Sequence, residues 1–287
     1  MSNVPSDLAQ RLARRQVILF VGAGVSMTLK LPSYSALIQE IGDHVGFDGP
    51  IFEGMGDYLT LAEYYYLQKG GLKELQRLLQ SKWDMPEKEV ASSAVHQAIV
   101  QLGCNVIYTT NFDSFLERAH RARGRKFKRI LSVRDMVNVD ENAVHIVKLH
   151  GDLTAPSGMV FTETSYFERL SFESPLDVKL RADALGKSLL FIGYSLADIN
   201  IRYLMFRLQR QWETEPEVAI RPKSYVFLSR PNSVQSDVLK SRGVETIVAE
   251  STDATESLAK FLTDLRRVAD TLDQPTSHGS KKSKAIT

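Results

Sequence analysis

VILFVGAGVS, residues 17–26, is the stretch whose reading decides the fold. Residues 17–21 are apolar without interruption, the pattern of a strand covered on both faces, as in a parallel sheet. Gly22 and Gly24 follow at once, and a turn built from them brings backbone N–H groups toward a pyrophosphate with no Cβ in the way. Gly22, Ala23 and Gly24 are the expected dinucleotide cradle, with the Ser26 hydroxyl as an added donor. The motif is incomplete as a dehydrogenase fingerprint. Met27 occupies the third glycine position of GxGxxG, and Asp43 falls within a helical pattern rather than at the end of a second strand.

Working outward, short β-branched apolar runs recur at 106–109, 146–149, 189–192, 225–228 and 246–248. Helical stripes lie between them: Leu37, Ile38, Ile41 and Val45 share one face and end at Gly46, and Ile201, Leu204, Met205, Leu208 and Trp212 form another. Alternation of strand and helix predicts an α/β fold, a Rossmann-like, doubly wound and mostly parallel sheet, whose ligand crevice opens at the carboxyl ends of the strands. Residues 47–90 carry helical patterns near 58–68 and 72–81 and no convincing strand, so a helical insertion beside the site is expected there. Tyr58, Tyr64, Tyr65 and Tyr66 in it either line the site or an interface, or pack an amphipathic helix on the core. One domain is expected over 1–275, followed by a mobile polar tail at 276–287 that buries too little apolar surface to repay ordering.

Composition narrows the partners. Of 287 residues 43% are hydrophobic and 24% charged, and the net charge is only +2, so nothing demands nucleic acid and direct binding to it is not expected. Cys104, the single cysteine, excludes an internal disulfide and a four-cysteine zinc site, and no metal is expected. The opening residues lack the apolar core of a signal peptide, and no apolar run reaches the length that spans a bilayer, so a cytoplasmic protein without membrane attachment is expected.

The remaining chemistry sits at strand ends. VIYTTNFDSFLERA places Thr110, Asn111 and Asp113 just before a helix; Asn111 or Asp113 as N-cap, with Ser114 and Glu117 as a capping box, is the bland alternative to a site. IVKLHGDL puts His150 before a glycine, and LLFIGYSLAD puts Gly193 and Ser195 near the same edge, with Asp198 capping the helix beyond.

Taken in order, GAGVS, TTNFD, LHGD and GYSLAD resemble the sirtuin family over about residues 17–198, and SAVHQAIVQLG resembles the sirtuin helix that leads into the second motif. The TTNFD form, the LPSY segment and the missing zinc module look like the zinc-less, sirtuin-like NADases of bacterial antiphage defence. The resemblance implies NAD as substrate, its pyrophosphate over Gly22 to Gly24 and its nicotinamide ribose between Asn111 and His150. It further implies that Asn111 positions water or ribose hydroxyls and that Asp113 orders the site or stabilises positive charge. His150 would act as general base, and Thr110, Gly193 and Ser195 would contact the cofactor. The arginine of the GIPDFR-type sirtuin segment is replaced by KLPSYSAL, which with the missing zinc module disfavours deacylation and leaves water as the acceptor. An NAD glycohydrolase releasing nicotinamide and ADP-ribose is therefore expected, as a homo-oligomer with a separately encoded partner, a HerA-type ATPase or a short Argonaute. A noncatalytic NAD or ADP-ribose sensor, and an NAD-dependent deacylase or ADP-ribosyltransferase, are the alternatives.

Overall fold

Every residue of β1 (Val17–Val21) is buried, because apolar layers cover both faces of the strand. Val17, Leu19 and Val21 pack on one side, with Leu8 and Leu12 of the Ser6–Ala13 helix, Ile99 of Ala94–Leu102, and Leu262 and Leu265 of Ala254–Leu272. Ile18 and Phe20 pack on the other, with Leu176 and Leu180 of Pro175–Leu185 and Leu204 and Met205 of Ile199–Glu213. The alternation of side chains along a strand distributes one apolar run between two cores.

The computed structural model describes residues 4–273 except 138, 156–157, 170, 172, 195–198 and 214–220, and the tail expected at 276–287 lies outside them. Among these residues β1 is joined by β2 (Val106–Thr109), β3 (Phe127–Ile130), β4 (Val144–Lys148), β5 (Ser188–Ile192), β6 (Ser224–Leu228) and β7 (Val244–Val248). All pairings are parallel, in the order β3-β4-β2-β1-β5-β6-β7. The chain lays β2, β3 and β4 on one side of β1, with β4 inserted between β2 and β3, then crosses back to lay β5 on the other, so the winding reverses between β1 and β5. A reversal of this kind opens a crevice beyond the carboxyl ends.

The doubly wound sheet is thus as expected from the sequence, with one strand more. Phe127–Ile130 reads FKRI and pairs only with β4 at the sheet edge, where one flank faces water and charged side chains are tolerated. Residues 47–90 contain helices Gly49–Glu53, Tyr58–Lys69 and Lys73–Lys82 and the start of Glu87–Ser92, and no strand. Their apolar faces form a separate core with Leu37, Ile38 and Ile41, joined by Leu153 and Phe161 from the loop after β4. Tyr65 is fully buried in that core and its hydroxyl lies 2.9 Å from His44 Nδ1, whereas Tyr58, Tyr64 and Tyr66 are exposed. Cys104 is buried in the main core, and burial pushes its thiol up to about 12.

Candidate active site

The register across the sheet aligns the four motifs. Val21 pairs with Thr109 and with Ile192, and Thr109 pairs with Lys148, so these residues form one row across β5, β1, β2 and β4. Gly22 and Gly193 are the next residues on their strands, and Asn111 and His150 each lie two residues past the row on adjacent strands. The strands end at that row, so Asn111 and His150 stand in the loops that leave the same carboxyl edge of the sheet.

The glycine turn is closed by β5 rather than left open. Gly22 N donates to Ile192 O (2.9 Å) and Gly24 N to Gly193 O (2.9 Å). A Cβ on Gly22 would meet Gly193 O and the Tyr194 ring at 2.5 Å, and one on Gly24 would meet Gly193 O at 2.9 Å. The absence of a Cβ is therefore what lets β1 and β5 touch at this edge. Gly193 takes φ +65°, the left-handed region where glycine carries no steric penalty. Tyr194 crosses over Gly22, and its hydroxyl shares a 2.5 Å hydrogen bond with Thr110 Oγ1, linking the ends of β5 and β2. Ser195 and Asp198 lie outside the described residues.

Asn111, Asp113 and Ser26 form one buried unit. Thr109 Oγ1 accepts from Asn111 N (3.0 Å) and donates to Val21 O (2.8 Å), which turns the chain out of β2. Asn111 Nδ2 donates to Gly22 O (3.1 Å) and Ser26 Oγ (2.9 Å). Both amide hydrogens are thereby used, which fixes the orientation of the group. Asn111 Oδ1 is left buried without a hydrogen-bond partner among the described residues. The hydroxyl expected at Ser26 to donate to a ligand donates instead to Asp113 Oδ2, at 2.6 Å. Asp113 Oδ1 accepts from Phe115 N (3.0 Å), so Asp113 also does the work of a cap for the Phe115–Ala122 helix. The capping box read at Ser114 and Glu117 does not form: Ser114 makes no side-chain cap, and Glu117 turns inward to within 3.7 Å of Lys148 Nζ.

His150 is 3% exposed, ahead of Gly151 at φ +87°, and its ring meets that of Tyr166 edge to face at 5.2 Å. Burial, with a smaller push from the Arg169 charge, holds its pKa down to about 3, so the imidazole is neutral near pH 7. A neutral ring can accept a proton or a hydrogen bond from a hydroxyl; a resident imidazolium could not.

The structure brings in residues that the motif reading missed. His96 is buried on the Ala94–Leu102 helix, packs edge to face on Phe115 at 6.1 Å, and responds to the Asp113 charge. Lys148 and Asp152 are buried between the Asn111 and His150 segments. A lysine inside the apolar run IVKLH was the available signal, since a strand covered on both faces has no place for an unpartnered charge. No group of three or more His, Cys, Asp or Glu able to hold a metal ion occurs among the described residues.

Residues 105–247, which include the ends of β2, β4 and β5, match the family model described as a SIR2-like domain. The chain resembles the SIR2-like family over this stretch, just under half of its length. It is 27% identical over 238 residues to the NAD(+) hydrolase ThsA of Bacillus cereus (strain MSX-D12), covering 80% of this chain and 48% of that protein. The ThsA of Enterococcus faecium is 28% identical over 200 residues, covering 69% of this chain and 41% of that one. Defense-associated sirtuin 2 of Bacillus subtilis is 24% identical over 257 residues, 85% of this chain and 24% of that protein. The chain spans about half the length, or less, of these relatives. Among solved structures, a Sir2 homologue described in complex with NAD aligns at a TM-score of 0.50 and 12% identity, covering 95% of this chain and 96% of that one, a likeness of fold. No described helix is long and apolar enough to cross a membrane.

Proposed function

We propose that this SIR2-like chain hydrolyses the nicotinamide–ribose bond of NAD to nicotinamide and ADP-ribose, as the NAD-depleting effector of an antiphage defence system. The observation that carries the proposal is the Asn111 amide. Its two hydrogens are held by Gly22 O and Ser26 Oγ, and its buried oxygen has no hydrogen-bond partner among the described residues. A buried acceptor left unsatisfied costs about 1–3 kcal/mol, and a ribose hydroxyl or an attacking water supplies the missing donor. The relatives named NAD(+) hydrolase support NAD as the substrate.

In this reading Asn111 Oδ1 orients water or a ribose hydroxyl against the anomeric carbon. His150, neutral and two residues past the end of the neighbouring strand, accepts a hydroxyl proton as positive charge on the sugar is quenched. Asp113 orders the unit through Ser26 and favours positive charge nearby. Nicotinamide leaves as a neutral base from a pyridinium, so its departure needs no acid. The glycine turn with Ala23, and Thr110, Gly193 and Ser195, would bound the cofactor. We further propose a single catalytic domain over 1–275, a cytoplasmic homo-oligomer, and activation by a separately encoded partner, a HerA-type ATPase or a short Argonaute, since constitutive NAD loss would kill the host.

The test is turnover of NAD by wild type, Asn111→Ala and His150→Ala, alone and with candidate partners, with products resolved by chromatography. Nicotinamide and ADP-ribose should appear with wild type, and each variant should lose at least about a hundredfold in rate. Wild-type-like rates in either folded variant would refute its assigned role. Tight NAD binding without turnover in every assembly would favour a sensor instead.

A further inference from the structure

Lys148 ends β4 with its side chain fully buried, two residues before His150. Its ammonium does not face the crevice as a charge for a ligand. It donates to Phe112 O at 3.2 Å, to Asp113 O, and to Asp152 Oδ2 at 2.5 Å, while Glu117 Oε1 stands 3.7 Å away. The first two acceptors belong to the backbone that follows Asn111; the third belongs to the turn that follows His150. Phe112 O accepts a second bond from Leu153 N at 3.1 Å, so the two segments are tied side by side. Asp152 is fixed in turn by Thr154 N (2.7 Å) and Thr154 Oγ1 (2.6 Å) and lies 3.3 Å from Arg129 Nη1. Burial raises the Asp152 carboxyl, but the Lys148 charge and these hydrogen bonds outweigh it and hold the group below its ordinary range.

We propose that Lys148 and Asp152 are positioning residues: a buried clasp that sets the spacing of Asn111 from His150 across β2 and β4. The catalytic part of this inference rests on the proposed hydrolysis of NAD; the clasp itself does not. Three donors on one ammonium match three acceptors on two segments, which a hydrophobic side chain of the same volume would fill without fixing their relative position. Misplacement of a reacting group by about 1 Å lowers rate about a hundredfold, and the effect falls on the chemical step more than on substrate affinity.

Two variants test it. Lys148→Met/Asp152→Asn/Glu117→Gln removes the three buried charges together, because removing one alone strands the others in the interior. Lys148→Arg keeps the charge but alters reach and geometry. Cooperative thermal unfolding verifies folding, and a variant that fails this is set aside in favour of the other. Two readouts follow: steady-state NAD hydrolysis, and hydrogen exchange of the amides in residues 109–113 and 149–154. The clasp predicts kcat lower by about a hundredfold with KM within about threefold, and exchange of both segments at least about tenfold faster while β1 and β5 stay protected. A folded variant with kcat within about threefold of wild type overturns the positioning role. Unchanged exchange in both segments overturns the clasp. If wild type with its partner hydrolyses no NAD, the functional reading fails on its own, and exchange alone decides whether the clasp exists.

Discussion

Acid should destabilise this protein through His96, by an amount the structure sets. The ring is 1% exposed, Nδ1 lies 2.8 Å from Ser93 Oγ, and Nε2 is buried without a hydrogen-bond partner among the described residues. Burial holds its pKa down to about 4, against a weaker upward pull from Asp113. An unfolded histidine titrates near 6.5, so between about pH 6.5 and 4 the unfolded chain binds a proton that the native protein does not. The stabilising contribution is present above that window and is lost as pH falls through it. At about 1.4 kcal/mol per pH unit, the unfolded state gains about 2 kcal/mol from this group between about pH 7.5 and pH 5. His96→Leu removes the titration and the orphaned nitrogen, and loses the Ser93 contact, worth about 1 kcal/mol at every pH. Urea unfolding at about pH 7.5, 6 and 5 for both proteins checks the sign and the size. His150, also buried and neutral, is present in both proteins and cancels in the difference. The drop in stability from pH 7.5 to 5 should be smaller in the variant by about 2 kcal/mol. Equal drops would show that His96 is not held neutral by burial.

Two other substitutions probe the same edge of the sheet. Gly22→Ala places a methyl 2.5 Å from Gly193 O and the Tyr194 ring, so thermal and urea unfolding should show a loss of about 2 kcal/mol or more; a neutral result would mean that β1 and β5 do not meet there. Ser26→Ala removes the link between Asn111 and Asp113, so stability should fall by about 1–3 kcal/mol and NAD turnover by about tenfold or more. Wild-type turnover in this variant would show that the amide orientation does not depend on Ser26.

The sheet was legible because burial on both faces leaves a plain trace: VILFV, VIYT and LLFI carry almost no polar residue, and each is a parallel strand. FKRI left no such trace, since an edge strand is defined by the neighbour it pairs with rather than by its own hydrophobicity. At the site, the residue types at strand ends were readable, but the partners of their hydrogen bonds were not. Ser26 reads as a free hydroxyl donor in GAGVS, and only the fold shows that Asp113, 87 residues away, accepts its hydrogen bond. Glu117 reads as the third residue of a capping box, and the competing charge of Lys148 draws it elsewhere. Local patterns register what a side chain can do; long-range electrostatics decides which of those options is used.

The glycine turn illustrates this most directly, because its two glycine N–H groups are already committed to β5. Their conformational value is the close approach of two backbones, and its consequence reaches the site through Ser26. Packing Gly22 and Gly24 against Gly193 seats the Ala23–Met27 helix so that Ser26 lies between Asn111 and Asp113, and it leaves Gly22 O facing the Asn111 amide. With both hydrogens of that amide held, rotation of the group by half a turn would bring its oxygen against a carbonyl and strand its donors. The acceptor that remains is therefore fixed before any ligand arrives. Preorganisation of this kind requires a rigid sheet edge, so substitutions that loosen the contact of β1 with β5 should lower turnover even where they touch neither Asn111 nor His150.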